Sequence, residues 1–271
     1  MRECLKNSLF ACGTEGLPKT AFIAGRQWMR VRTFKHDFFA ATGLYEATDS
    51  APGSVDAPRR MVLKINRIQS FLGIPLGWIG RYLKQREYRL LQRLQSLDQI
   101  PQLLGEYGRN GFVYRYIEGQ SLDEQPDLPD SFFDALTHLL EQIHRRGVCY
   151  LDFNKRGNIL IGNDGRPYLI DFQISLMLQR RGFKWLCRRL QREDHYHLLK
   201  HKRRLRPDLM TDSEKALSRR QSTAIRVHRF LTVPLRTLRR RLLGVLHRKG
   251  LLNRDDSFDP TPENDPTRFK S

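Results

Sequence analysis

No stretch of this 271-residue chain stays apolar for long. The weakly polar run that comes nearest, Phe71 to Gly80, spans ten residues, about half of the ~20 that a bilayer-spanning helix needs. A spanning helix is excluded; a segment resting on a membrane surface and a buried loop stay open. Cysteine is scarce: Cys4, Cys12, Cys149 and Cys187 are scattered with no Cys-x-x-Cys pair, so neither a disulfide framework nor a zinc site is indicated and a reducing compartment fits. The residues that follow Met1 are too polar for the apolar part of a secretory leader, and the expected location is the cytoplasm. Acidic residues are also in short supply, 29 against 48 Lys and Arg. The imbalance is local: residues 180–249 hold 22 Lys and Arg and five acidic residues, with only Phe183, Trp185, Tyr196 and Phe230 as aromatics. So few rings give little to stack on bases, which makes nucleic acid the lesser of the anionic partners.

Against these absences stands one dense segment, Ile143 to Ser175. A helix ends at His144-Arg145-Arg146 with Gly147 as its cap, and Val148-Cys149-Tyr150 then delivers Asp152 to the start of a loop that Asn158 closes. Ile159–Ile161 and Tyr168–Ile170 read as a hairpin around Asn163-Asp164-Gly165, so Asp171 emerges at a strand end near Asn158. Phosphoryl transfer needs hard oxygen ligands for magnesium and a carboxylate that orients the attacking hydroxyl. Asp152 suits the hydroxyl; Asn158 and Asp171 suit the metal. The alternative is that all three are turn and capping residues.

Upstream, Met61-Val62-Leu63-Lys64-Ile65 reads as a strand carrying an inward lysine for the α- and β-phosphates. Apolar residues from Leu83 to Leu94 recur at helical spacing, and Glu87 on that segment is placed to pair with Lys64. The order Lys, Glu, Asp, Asn, Asp along one chain is hard to reach by accident.

On these residues the chain resembles the protein-kinase-like superfamily, and within it the bacterial RIO-like serine/threonine kinases and lipopolysaccharide-core sugar kinases. The resemblance covers roughly residues 33 to 200. It implies an α+β, two-lobed fold with a small β-rich N-lobe, a helical C-lobe and a basic helical C-terminal extension. It also implies ATP and magnesium, or manganese in its place. Lys64 becomes the phosphate lysine, Glu87 its helix partner, Asp152 the catalytic aspartate, and Asn158 and Asp171 the metal ligands. Phe112–Gly119 looks like the last N-lobe strand and the hinge, with Tyr116 and Glu118 beside the adenine.

Departures from the pattern are informative. Phe38–Tyr45, the segment where a glycine-rich loop belongs, keeps only Gly43, the candidate phosphate contact. Tyr150-Leu151-Asp152 replaces His-Arg-Asp, which removes the arginine that anchors a phosphorylated activation loop. The loop from Asp152 to Asn158 is one residue longer than the common pattern, so a bulge at Gly157 is expected, and Lys155 or Arg156 is placed to steady the γ-phosphate. Asp171-Phe172-Gln173 replaces Asp-Phe-Gly, and no Ala-Pro-Glu follows. A peptide-docking platform is therefore missing.

The chain divides into an N-terminal extension (1–32), a kinase-like domain (33–207), a basic helical extension (208–252) and a disordered tail (253–271). Helices are expected at Phe183–Leu190 and Leu231–Leu246; Glu193 to His201 reads as a surface helix in which His197 and His201 share a face. Three functions follow: a kinase for protein Ser/Thr hydroxyls, a kinase for a Kdo or heptose hydroxyl of the lipopolysaccharide core on the inner face of the cytoplasmic membrane, or a pseudokinase that binds a partner or nucleic acid. The basic helices fit an anionic membrane surface.

Overall fold

The computed structural model describes residues 7–48, 58–71, 73–177 and 184–219. The helix expected at Leu231–Leu246 and the tail from 253 lie outside them. Six antiparallel strands form the first lobe: β1 (Thr20–Ile23), β2 (Arg26–His36), β3 (Ala40–Ala47), β4 (Arg60–Asn66), β5 (Leu103–Tyr107) and β6 (Gly111–Arg115), in the order β1-β2-β3-β4-β6-β5. Helix α1 (Gly77–Leu94) runs between β4 and β5.

β4 is buried from Met61 to Asn66, and its alternation sorts the lobe into two faces. Met61, Leu63 and Ile65 pack outward with Ala41, Tyr45 and Val113 beneath Ala11, Cys12 and Leu17. Lys64 lies on the other face, directly opposite Phe112. Phe112 packs with Leu90, Leu91 and Leu94 of α1 and with the core of the second lobe. This corrects the boundary expected at residue 33, which falls inside β2: the sheet begins at Thr20, and residues before it cover apolar surface that the outer face would otherwise expose to water.

α1 seats closely on the end of β4. A Cβ at Gly80 would lie 2.0 Å from the Arg67 carbonyl oxygen, and Asn110 donates its side-chain amide to the carbonyls of Arg67 (2.8 Å) and Gly77 (2.9 Å). Residues 73–80 are thus the approach to α1 and its first turn; Ile74 and Trp78 are exposed, so this part is not a buried loop.

The chain leaves the first sheet through Tyr116–Glu118 and enters the second lobe at β7 (Gly119–Ser121), which pairs with β9 (Ile159–Gly162) and, through it, β10 (Pro167–Leu169). Helix α2 (Phe132–Arg145) buries Phe132, Phe133, Leu136, Leu139, Leu140 and Ile143, one face of a 3.6-residue period. Gly147 ends it at φ 74°, donating its N–H to the His144 carbonyl at 2.9 Å. β8 (Val148–Cys149) pairs with β11 (Leu176–Met177), and α3 (Lys184–Leu205) and α4 (Asp212–Arg219) close the lobe. One core joins α1, α2, Phe153, Phe172 and Leu198 across the lobes. The architecture is the α+β one, with a β-rich first lobe and a helical second lobe, that the sequence leads one to expect.

α3 departs from the expected surface helix. Cys187, Asp194, Leu198 and His201 are buried along one side of it, while Trp185, Arg188, Arg189 and Arg192 are exposed. Charge density had masked the buried stripe.

Candidate active site

Lys64 is the centre of an ionic cluster. Only 4% exposed, it donates to Glu87 Oε1 at 2.8 Å and to Asp171 Oδ1 at 3.0 Å. These three residues come from β4, the middle of α1 and the segment after β10. Burial alone would push the lysine toward its neutral form, but Asp171 and Glu87 raise its pKa and hold it as an ammonium. Burial raises Glu87 against the pull of Lys64, and Glu87 Oε2 has no partner among the described residues. Burial would also raise Asp171; Lys64 foremost, then Lys35, with Lys155 adding to them, keeps it well below the usual carboxylate range.

Beside this cluster lies the loop of Asp152. Its Oδ2 accepts from Lys155 Nζ and from Asn158 Nδ2, each at 2.7 Å. With its nitrogen committed to Asp152, Asn158 keeps its side-chain oxygen as a ligand atom. Its backbone carbonyl accepts the Ile170 N–H at 3.0 Å, which draws the strand end bearing Asp171 against the loop. Burial raises the Asp152 pKa, Lys155 and Asn158 lower it, and the nearby Asp171 raises it again, with a net upward shift.

The backbone is strained at this site. Leu151 and Asp171 have φ of 67° and 56°, each a conformation that costs a non-glycine residue roughly 1–3 kcal/mol. Anchors hold them there: Asp194 accepts the N–H groups of Tyr150 (2.9 Å) and Leu151 (2.8 Å), and His201 Nε2 bonds the Phe153 carbonyl at 2.6 Å. Tyr150 donates its hydroxyl to the Ile170 carbonyl, Arg86 donates to that of Gln173, and Ser175 Oγ donates to that of Tyr150 at 2.7 Å.

The structure thus brings Lys64, Glu87, Asp152, Asn158 and Asp171 together. Gly43 is the correction. It lies within β3, not in a loop, and pairs with Leu63 on the outer face; a Cβ there would meet Leu17 Cδ1 at 2.7 Å. Its smallness serves packing on the side away from Lys64. The turn between β2 and β3 is Asp37-Phe38-Phe39 and has no glycine. Gly157 makes no left-handed bulge either: a short 3₁₀ turn at Arg156–Asn158 absorbs the extra residue, and Gly157 admits the Asp123 carboxylate. Asp123 holds Arg156 at 3.2 Å, so of the two loop cations only Lys155 sits at the carboxylate of Asp152.

Tyr116 and Glu118 lie in the link between lobes. The Tyr116 N–H donates to the Arg60 carbonyl (3.4 Å), its ring stacks on Phe34 with centroids 6.1 Å apart, and Glu118 pairs with Arg60 at 3.5 Å. Sequence reasoning passed over Lys35 and Phe34, and it put Asp194 and His201 on a surface helix where the structure buries both. For Asp194 a signal exists: a lone acid falls on the helix side marked by Cys187 and Leu198.

No protein-family model matches the chain, and no curated protein does. Among solved structures it is similar to the Rio2 kinase of Chaetomium thermophilum. In the ADP/Mg2+-phosphoaspartate complex of that kinase the identity is 14% and the TM-score 0.49, over 70% of this chain and 61% of the other. A second structure of the same kinase gives 14% and 0.48, over 70% and 62%. The chain therefore spans less than two thirds of the length of either.

The residues present are chemically suited to a hard dication. Asn158 and Asp171 offer two oxygen donors beside an ionised ammonium, and magnesium sites commonly use one or two protein oxygens with substrate phosphates completing the shell.

Proposed function

We propose that the chain is an ATP-dependent phosphotransferase that moves the γ-phosphoryl group to a hydroxyl. The observation that carries this is the Lys64–Glu87–Asp171 cluster set against the Asp152–Asn158 pair. Lys64 neutralises phosphate charge, and Glu87 fixes its position. Asn158 and Asp171 hold magnesium, which supplies charge neutralisation at the phosphates when bound. Asp152 takes the hydrogen bond of the acceptor hydroxyl and aims its oxygen at phosphorus. The new P–O bond forms as the bond from the γ-phosphorus to the bridging oxygen breaks; ADP leaves with that electron pair, and the hydroxyl proton passes to Asp152. Tyr116 and Glu118 lie at the adenine end.

The acceptor is taken first as a Ser or Thr hydroxyl on a protein. A second reading, a sugar hydroxyl of a lipopolysaccharide core, is favoured by one observation. Only residues 172–183 separate Asp171 from α3, which carries Trp185, Arg188, Arg189 and Arg192 at i, i+3, i+4 and i+7 on an exposed face. That face suits an anionic membrane surface, and the location on this reading is the inner face of the cytoplasmic membrane.

The test is transfer of label from γ-labelled ATP by wild type and Asp152→Asn in a bacterial lysate, with protein and glycolipid separated afterwards. Asp152-dependent label in protein supports the first acceptor, and in glycolipid the second. The substitution is expected to cost on the order of 10²–10⁴ in turnover while sparing nucleotide binding. Equal transfer by the variant overturns the role of Asp152, and a wild type that binds no magnesium-ATP returns the chain to a pseudokinase.

A further inference from the structure

The β2–β3 hairpin stands where a phosphate-cradling loop is expected, yet its backbone is already committed. Asp37 Oδ1 accepts the N–H groups of Phe39 (2.8 Å) and Ala40 (2.9 Å), and the Asp37 N–H donates to the Ala40 carbonyl (3.0 Å). The tip is also tied down from below. Arg67, 1% exposed, donates to the carbonyls of Phe38, Ser8 and Ser70, and its guanidinium lies 3.9 Å from the centroid of the Phe38 ring. A tip so held offers few amides to a phosphate and has little freedom to fold over one.

The pairing register supplies a substitute. Lys35 lies opposite Thr42 across β2 and β3, and Thr42 lies opposite Lys64 across β3 and β4. Directly opposed residues on neighbouring antiparallel strands share a face, so Lys35 lies on the Lys64 side of the sheet. Strands are spaced ~4.8 Å, which sets the two lysine backbones about 10 Å apart, within the reach of two long side chains onto one triphosphate. An irregularity in the register between Thr33 and Lys35 marks where the strand is re-aimed. Lys35 is 34% exposed and is held by Asp37 Oδ2 at 2.9 Å, an arrangement that keeps the ammonium in place and open to solvent.

We propose that Lys35 binds the β- and γ-phosphate oxygens of the nucleoside triphosphate, doing with a side-chain ammonium what backbone N–H groups do in a glycine-rich loop. The field of Lys35 already reaches the Asp171 carboxylate, second only to Lys64 among the cations acting there. The proposal rests on the reading of the Lys64 cluster as an ATP site.

Calorimetric titration of the full chain with magnesium-ATP, magnesium-ADP and adenosine tests it, using wild type, Lys35→Met and Lys35→Arg. Lys35→Met should weaken ATP by about 10- to 100-fold, the range of one charge-assisted hydrogen bond, weaken ADP less, and leave adenosine unchanged. Lys35→Arg should restore most of the ATP affinity. If Lys35→Met binds ATP as wild type does, or loses ATP and adenosine equally, Lys35 is not a phosphate ligand and the ATP site stands. A wild type that binds neither nucleotide overturns the ATP reading itself, and this proposal with it.

Discussion

Asp194 accepts the backbone N–H of Tyr150 at 2.9 Å across 44 residues of sequence. The same carboxylate takes the Leu151 N–H at 2.8 Å and His144 Nε2 at 2.9 Å, while His201, two turns along α3, bonds the Phe153 carbonyl. α3 therefore grips the loop on both sides of Asp152 and holds Leu151 in its strained conformation.

Asp194→Ala removes the acceptor shared by three donors, one buried and two partly buried. Breaking a buried, hydrogen-bonded charged group typically costs about 3–5 kcal/mol, and loss of that order is expected in urea denaturation. Turnover should fall well below wild type even at temperatures where the variant is fully folded, because Leu151 can then relax. A folded variant with wild-type turnover would show that the grip does not position Asp152.

Lys64→Met leaves the buried Glu87 and the partly buried Asp171 without the cation they share. The Glu87 pKa, already raised by burial, rises further. A carboxyl whose folded pKa exceeds its unfolded value binds more protons when folded, so it gains stability as pH falls. The gap in melting temperature between wild type and Lys64→Met is thus expected to be wider at pH 7.5 than at pH 5.5. A gap independent of pH would contradict the coupling.

Gly80→Ala drives a Cβ to within 2.0 Å of the Arg67 carbonyl oxygen. Backbone must move, at about 1–3 kcal/mol or more for such overpacking. The shift of α1 carries Glu87 away from Lys64, so nucleotide affinity should drop along with melting temperature. Calorimetry and thermal denaturation on one preparation measure both.

His201 is pushed down to about 4 by burial, against its hydrogen bond to the Phe153 carbonyl and with help from Lys200, Arg156 and Arg204. The folded state then binds fewer protons than the unfolded state, whose histidine titrates near 6.5. The stability it contributes is complete above about pH 6.5 and declines as pH falls toward 4, by about 3 kcal/mol in all. His201→Gln should flatten the stability–pH curve across that window. An unchanged slope would assign the acid sensitivity to other groups.

Much of the candidate site can be read along the chain. Lys64 stands in a run of strand-forming residues, Glu87 on a helical period, and Asp152, Asn158 and Asp171 within twenty residues of one another, so local patterning is enough to order them. Gly43 misled because glycine reads as a turn residue; only the packing of Leu17 explains its size. α3 misled in the opposite sense, its arginines and lysines concealing the buried side that carries Asp194 and His201.

Local chemistry alone settles the strand with Lys64, the capped helix before Gly147, the hairpin around Gly165 and the types of ligand available, since each depends on neighbours a few residues away. The cover over the outer sheet face, the Lys35–Thr42–Lys64 row, the Arg67 tether and the Asp194 grip depend on strand register and helix packing. Their partners lie tens of residues apart, and no short window of sequence contains both halves of such a contact.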